Sequence, residues 1–114
     1  MELKKYQNRV IADLEDYLTQ LNEQPTLSDA FKMFWESRQI EVGTPQMPGY
    51  QNVIVGVPHV CYKVPTGGGK TFLACASVKP IFEALPPTRK QAVVWLVPSD
   101  SILTQTLAAL KNPL

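Results

Sequence analysis

The stretch that most constrains this chain runs from residue 60 to residue 71. Val60, Cys61, Tyr62, Lys63 and Val64 form a mostly apolar run. Pro65 and Thr66 then lead into Gly67, Gly68 and Gly69, and Lys70 and Thr71 follow. Behind them stands a second apolar run: Phe72, Leu73, Ala74, Cys75, Ala76, Ser77 and Val78. This order suits a strand that feeds a glycine loop, which in turn opens a helix. Glycines let successive backbone N–H groups turn toward one point, because no Cβ keeps a phosphate oxygen away. The helix N-terminus adds unpaired N–H groups and a partial positive charge. Lys70 would reach the terminal phosphates of a nucleotide, and the Thr71 hydroxyl would ligate Mg²⁺. The full pattern G-x-x-x-x-G-K-[ST] calls for glycine where Val64 stands, but it is intact from Gly67 to Thr71. The plain alternative is a glycine-rich surface turn beside a lysine, which the strand–loop–helix setting disfavours.

The flanking segments supply an α/β setting. Residues 1–22 predict an amphipathic helix: Leu3, Tyr6, Val10, Ile11, Leu14, Tyr17, Leu18 and Leu21 recur at helical spacing, with charged residues on the other face. Pro25 and Thr26 break it. A second helix is expected within 28–40, capped by Ser28 or Thr26. Its Phe31, Phe34 and Trp35 form one aromatic stripe. Such a stripe is more often core than a stacking platform for bases, and no arginines or lysines interleave it to favour the latter. Residues 43–50, with two prolines and two glycines, predict a loop, and 52–55 a short strand. The segment 60–85 comprises strand, loop and helix, and Pro80 requires that helix to kink, restart or end near Lys79. Residues 91–110 predict a strand over 91–97, buried on both faces, and then a helix. Alternating strands and helices argue for parallel strands.

With 114 residues, one domain at most fits the length, and a net charge of +1 offers no global attraction for nucleic acid. Two cysteines make no disulfide scaffold, and both are expected to be buried thiols. A single histidine, His59, makes a zinc site implausible. No run of the sequence is long and apolar enough for a membrane span, and there is no signal segment, so the expected location is cytoplasmic.

Pro65-Thr66-Gly67-Gly68-Gly69-Lys70-Thr71 resembles motif I of superfamily 2 helicases and translocases, and the triple glycine is most like the helicase subunit of type III restriction enzymes. Leu3-Lys4-Lys5-Tyr6-Gln7 is similar to the glutamine element that opens many of these motors, in which the glutamine reads adenine. A carboxamide suits that task because it offers a donor and an acceptor together. Val97-Pro98-Ser99-Asp100-Ser101-Ile102-Leu103-Thr104-Gln105 resembles motif Ia, with serine for the usual threonine and isoleucine for the leucine. Its counterparts touch a nucleic-acid backbone, for which short hydroxyls and helix N-termini are suited.

The resemblance implies ATP and Mg²⁺ as cofactors. They would be held by Gln7, Thr66, Gly67, Gly68, Gly69, Lys70 and Thr71, with Lys70 catalytic and Thr71 on the metal. It also implies DNA backbone contacts from Pro98, Ser99 and Gln105, and a modification methyltransferase as partner subunit. The implied fold is a RecA-like P-loop domain, a parallel sheet flanked by helices, of which 1–114 is the N-terminal part cut after motif Ia. No acidic motif II follows. The only adjacent acidic pair, Glu15-Asp16, lies on the exposed face of the first helix. Such a fragment is expected neither to hydrolyse ATP nor to form a stable domain. Its strands over 60–64 and 92–97 would run parallel without sharing a ladder. Two other readings stay open: an unrelated P-loop protein such as a small-molecule kinase, and a non-catalytic nucleotide-binding module.

Overall fold

The computed structural model describes residues 3–51, 54–64, 69–86, 90–96, 104, 107, 108 and 111. Among the described residues three continuous helices stand in chain order: α1 (Lys5–Glu23), α2 (Leu27–Glu36) and α3 (Lys70–Ala84). The chain divides into two compact units, one formed by Ala12–Lys63 and the other by Met1–Ile11 with Val64–Leu114.

In the unit Ala12–Lys63, α2 packs on the C-terminal part of α1. Leu14, Tyr17, Ala30 and Phe34 are buried there. The Tyr17 and Phe34 rings meet edge to face at 5.5 Å. Burial of each large side chain stabilises by about 1.5–3 kcal/mol, so this core outweighs the polar contacts around it. Arg38 spans the two helices at the surface. Its Nη2 donates to Asp13 Oδ1 at 2.7 Å and to Asp16 Oδ2 at 2.9 Å, and its guanidinium lies 3.9 Å from the Phe34 ring centre. These carboxylates are exposed, so each pair is worth only about 0–1 kcal/mol. The Asp13 hydrogen bond holds the guanidinium pKa above its ordinary value; burial partly offsets this, and the Asp16 bond and both negative charges add to the rise.

Thr26 is the cap of α2: its backbone is extended and its side chain accepts from the Asp29 N–H at 3.1 Å. The expected helix to residue 40 stops at Glu36. Gln39 adopts φ 63°, its N–H reaches Glu36 O, and the Ile40 N–H reaches Trp35 O. That is a Schellman closure, here with glutamine in the place glycine usually takes. Phe31 packs on Trp35 and on Tyr50, and the Tyr50 hydroxyl accepts from the His59 N–H at 2.9 Å. The aromatic stripe is therefore a packing surface.

In the other unit, α3 is a single helix through Pro80 to Ala84. The expected end or restart near Lys79 does not occur. Leu85 turns extended, as a residue before proline must, and stops the helix ahead of Pro86. Leu73 and Cys75 are buried, and burial pushes the Cys75 thiol pKa up. Residues 90–96 lie along α3, where Gln91 Nε2 donates to Phe82 O at 2.8 Å. A cleft of about 510 Å³ is lined by Ser77, Val78, Ile81 and Phe82 on one side and by 92–96 on the other. Thr104, Leu107, Ala108 and Lys111 have helical backbone.

Three expectations need correction. No strand forms among the described residues, so 60–64 and the described part of 91–97 carry no ladder. A strand's N–H and C=O groups are satisfied only by a neighbour, and neither segment has one there. Val94 and Leu96 are accordingly 84% and 89% exposed rather than buried on both faces. Of the short strand expected over 52–55, Asn52 and Val53 lie outside the described residues and Ile54 is a bend. Cys61, expected to be buried, is exposed, because the segment that carries it is not sandwiched in a sheet.

Candidate nucleotide-binding site

The helix α3 starts where the glycine loop ends. Gly69 caps it in the left-handed conformation, φ 77° and ψ 43°, and as glycine has no side chain of its own with which to cap the helix. Gly69 O accepts from the Leu73 N–H, so the first α3 hydrogen bond starts at the loop's last glycine. Lys70 is exposed and Thr71 half-buried in the opening turn. A helix N-terminus that opens on a glycine, followed at once by a lysine and a hydroxyl, suits the oxygens of a polyphosphate.

The N-terminal part of α1 meets this point. Gln7 is only 5% exposed, and its Nε2 sits 2.6 Å from where a Cβ on Gly69 would stand. Its Oε1 accepts from the Lys4 N–H at 2.8 Å, and its Nε2 donates to the Tyr6 hydroxyl at 3.5 Å. Lys4 O accepts from the Asn8 N–H, which makes Lys4 the cap of α1 and Gln7 the third residue of its first turn. Gln7 therefore makes the return half of a capping box. Sequence reasoning missed this role, because a lysine at the cap hides the usual S/T-x-x-E/Q signature and leaves only its glutamine half. Glycine is favoured at 69 by its positive φ, and a Cβ there would also have to push aside the Gln7 amide, 2.6 Å away.

The structure thus brings together Gln7, Gly69, Lys70 and Thr71. Thr66, Gly67 and Gly68 lie outside the described residues, as do Pro98, Ser99 and Gln105 of the expected DNA-contacting turn. Among the described residues, no group of three or more His, Cys, Asp or Glu side chains could hold a metal ion. Thr71 offers one hard oxygen in the opening turn of α3. That fits Mg²⁺, which commonly takes most of its shell from phosphates and water. The cleft between α3 and 92–96 has no charged side chain in its described lining and does not suit a triphosphate. No helix among the described residues is long and apolar enough to cross a membrane.

The family model for the type III restriction enzyme, res subunit, matches residues 1–114. No curated protein and no solved structure matches the chain.

Proposed function

The chain belongs to the family of the type III restriction enzyme res subunit, and from that premise we propose that it binds ATP with Mg²⁺ for an ATP-driven helicase or translocase acting on DNA. The family implies a RecA-like P-loop fold and a helicase-type nucleotide site. In this reading Thr66, Gly67, Gly68 and Gly69 cradle the phosphates with backbone N–H groups, and Lys70 places its charge on the transferring phosphoryl group. Mg²⁺ neutralises charge on the phosphate oxygens, and Thr71 supplies its protein oxygen. Gln7 holds the adenine edge. The turn carrying Pro98, Ser99 and Gln105 touches a DNA backbone without reading bases. A modification methyltransferase is the partner subunit, and the location is cytoplasmic.

The observation that carries the nucleotide reading is the meeting of Gln7 with the left-handed Gly69 at the mouth of α3. Two elements far apart in sequence converge on the point where a base-reading amide and a phosphate loop would need to meet. The test is titration of ATP with Mg²⁺ into the chain and its Lys70→Ala variant by calorimetry. Loss of the charge-assisted contact should weaken binding roughly tenfold or more. Equal affinities would sink the assignment of Lys70.

A further inference from the structure

We propose that Lys5 and Arg9 of α1 form a contact for the phosphate backbone of DNA, separate from the turn that carries Pro98, Ser99 and Gln105. The proposal rests on the reading of DNA as a ligand of this chain. The net charge of +1 conceals a segregation of charge. The unit of residues 1–11 and 64–114 holds eight lysines and arginines against three acidic residues, and the unit 12–63 holds three against seven. The unit with the nucleotide site is therefore at +5 and the other at −4. Such asymmetry within one chain points to a polyanion at the basic part.

At Lys5 and Arg9 that charge works against the fold. Both are exposed, and neither has an ion-pair partner among the described residues. They stand four positions apart in one helix, which brings two like charges together. No acidic residue offsets them in the first turn of α1, where the helix's own partial charge is also positive. The next carboxylate in register, Asp13, is engaged by Arg38 at 2.7 Å. An anion brought to the pair relieves both repulsions. That anion is not the nucleotide. At about 100° per residue, positions 5 and 9 fall on the side of α1 opposite Gln7, which meets Gly69. The two positions are about 6 Å apart along the helix axis. A DNA strand offers a phosphate about every 3.4 Å of its own axis, so both cations can engage one strand without reading bases.

The experiment follows the fluorescence anisotropy of a fluorescein-labelled duplex of about 20 base pairs with the full chain, between about 50 and 200 mM NaCl. Wild-type affinity should fall as salt rises. Lys5→Gln combined with Arg9→Gln should weaken binding roughly tenfold and lower the slope of log K against log salt by roughly 2. Lys5→Arg with Arg9→Lys should bind like wild type. Lys79→Gln with Lys111→Gln removes as much exposed charge from the same unit and should change little. The Lys5→Gln, Arg9→Gln variant should melt no lower than wild type and bind ATP with Mg²⁺ equally well. A lower melting temperature means that the cations serve the fold, and overturns the contact. Unchanged DNA affinity in that variant, or an equal loss with Lys79→Gln and Lys111→Gln, overturns the contact and leaves the DNA reading standing. A wild type that does not bind the duplex overturns the DNA reading and the contact with it.

Discussion

At residue scale, two residues hold opposite kinds of tension. Tyr17 is 5% exposed, yet its hydroxyl has no hydrogen-bond partner among the described residues. A buried unpaired hydroxyl costs about 1–3 kcal/mol, so Tyr17→Phe should raise stability toward that amount while keeping the edge-on contact with Phe34. Burial, and then the nearby Tyr50, raise the Tyr17 pKa above the ordinary 10.0. Burial chiefly pushes Tyr62 up to about 12. The folded state thus keeps its phenol protons when the unfolded chain has released them. This contribution is complete below about pH 10 and declines as pH rises through the folded values. Urea melts from pH 8 to 12 should show the decline, and Tyr17→Phe should make it shallower. Gly69 is the second case. An alanine there costs about 1–2 kcal/mol for its left-handed backbone, and its Cβ displaces the Gln7 amide as well. The cost of Gly69→Ala should therefore be smaller in a Gln7→Ala background, a coupling that a double-mutant cycle in thermal stability measures. Strict additivity would mean that Gln7 does not press on the loop.

At the scale of elements, the helices are legible in the sequence because a helix satisfies its own backbone. The stripe from Leu3 to Leu21 anticipates α1, and the Pro25-Thr26 break anticipates the start of α2. Thr26 accepts from the Asp29 N–H, so Thr26→Ala should destabilise by about 0.5–2 kcal/mol in denaturant melts, with Thr26→Ser recovering most of it. No change would mean that the hydroxyl competes equally well for water. What was not legible has a common cause. Whether 60–64 and 90–96 form strands depends on which neighbour donates the matching N–H and C=O groups, and periodicity within a segment says nothing of that. The exposed Cys61 follows from the same gap, since its expected burial presupposed a sheet. Pro80 misled in the other direction. Its proline ring favours a break, but the apolar residues on both sides, Val78, Ile81 and Phe82, all line the one cleft against 92–96. Packing of that face carries α3 through to Ala84. In the candidate site, Gly69, Lys70 and Thr71 were legible because the motif is local. The contact of Gln7 with Gly69 spans 62 positions of sequence, and only the family resemblance pointed toward it.

At the scale of the whole molecule, the decisive quantity is exposed apolar surface set against very little net charge. Val94 and Leu96 are nearly fully exposed, and Val93 is exposed beside them, in a segment without a ladder among the described residues. The run Ala92, Val93, Val94, Trp95, Leu96 has high β-propensity and no charge or proline within it, which is the composition of a strand-pairing hazard. The net charge of +1 supplies almost no repulsion between copies. Association should therefore grow with concentration and depend little on ionic strength, since it is apolar contact and backbone pairing that drive it. Val94→Lys combined with Leu96→Lys places two charges on the most exposed positions without touching Gln7, Gly69, Lys70 or Thr71. Gel filtration with light scattering should show the mass of the wild-type chain rising with concentration and that of the variant staying monomeric. Helical circular dichroism should be alike for the two, because Val94 and Leu96 are 84% and 89% exposed and bury little of themselves against α3. If the variant associates as strongly as the wild type, the sticky surface lies elsewhere. The exposed stretch of Ile54, Val55 and Val57 would be the next place to put charge.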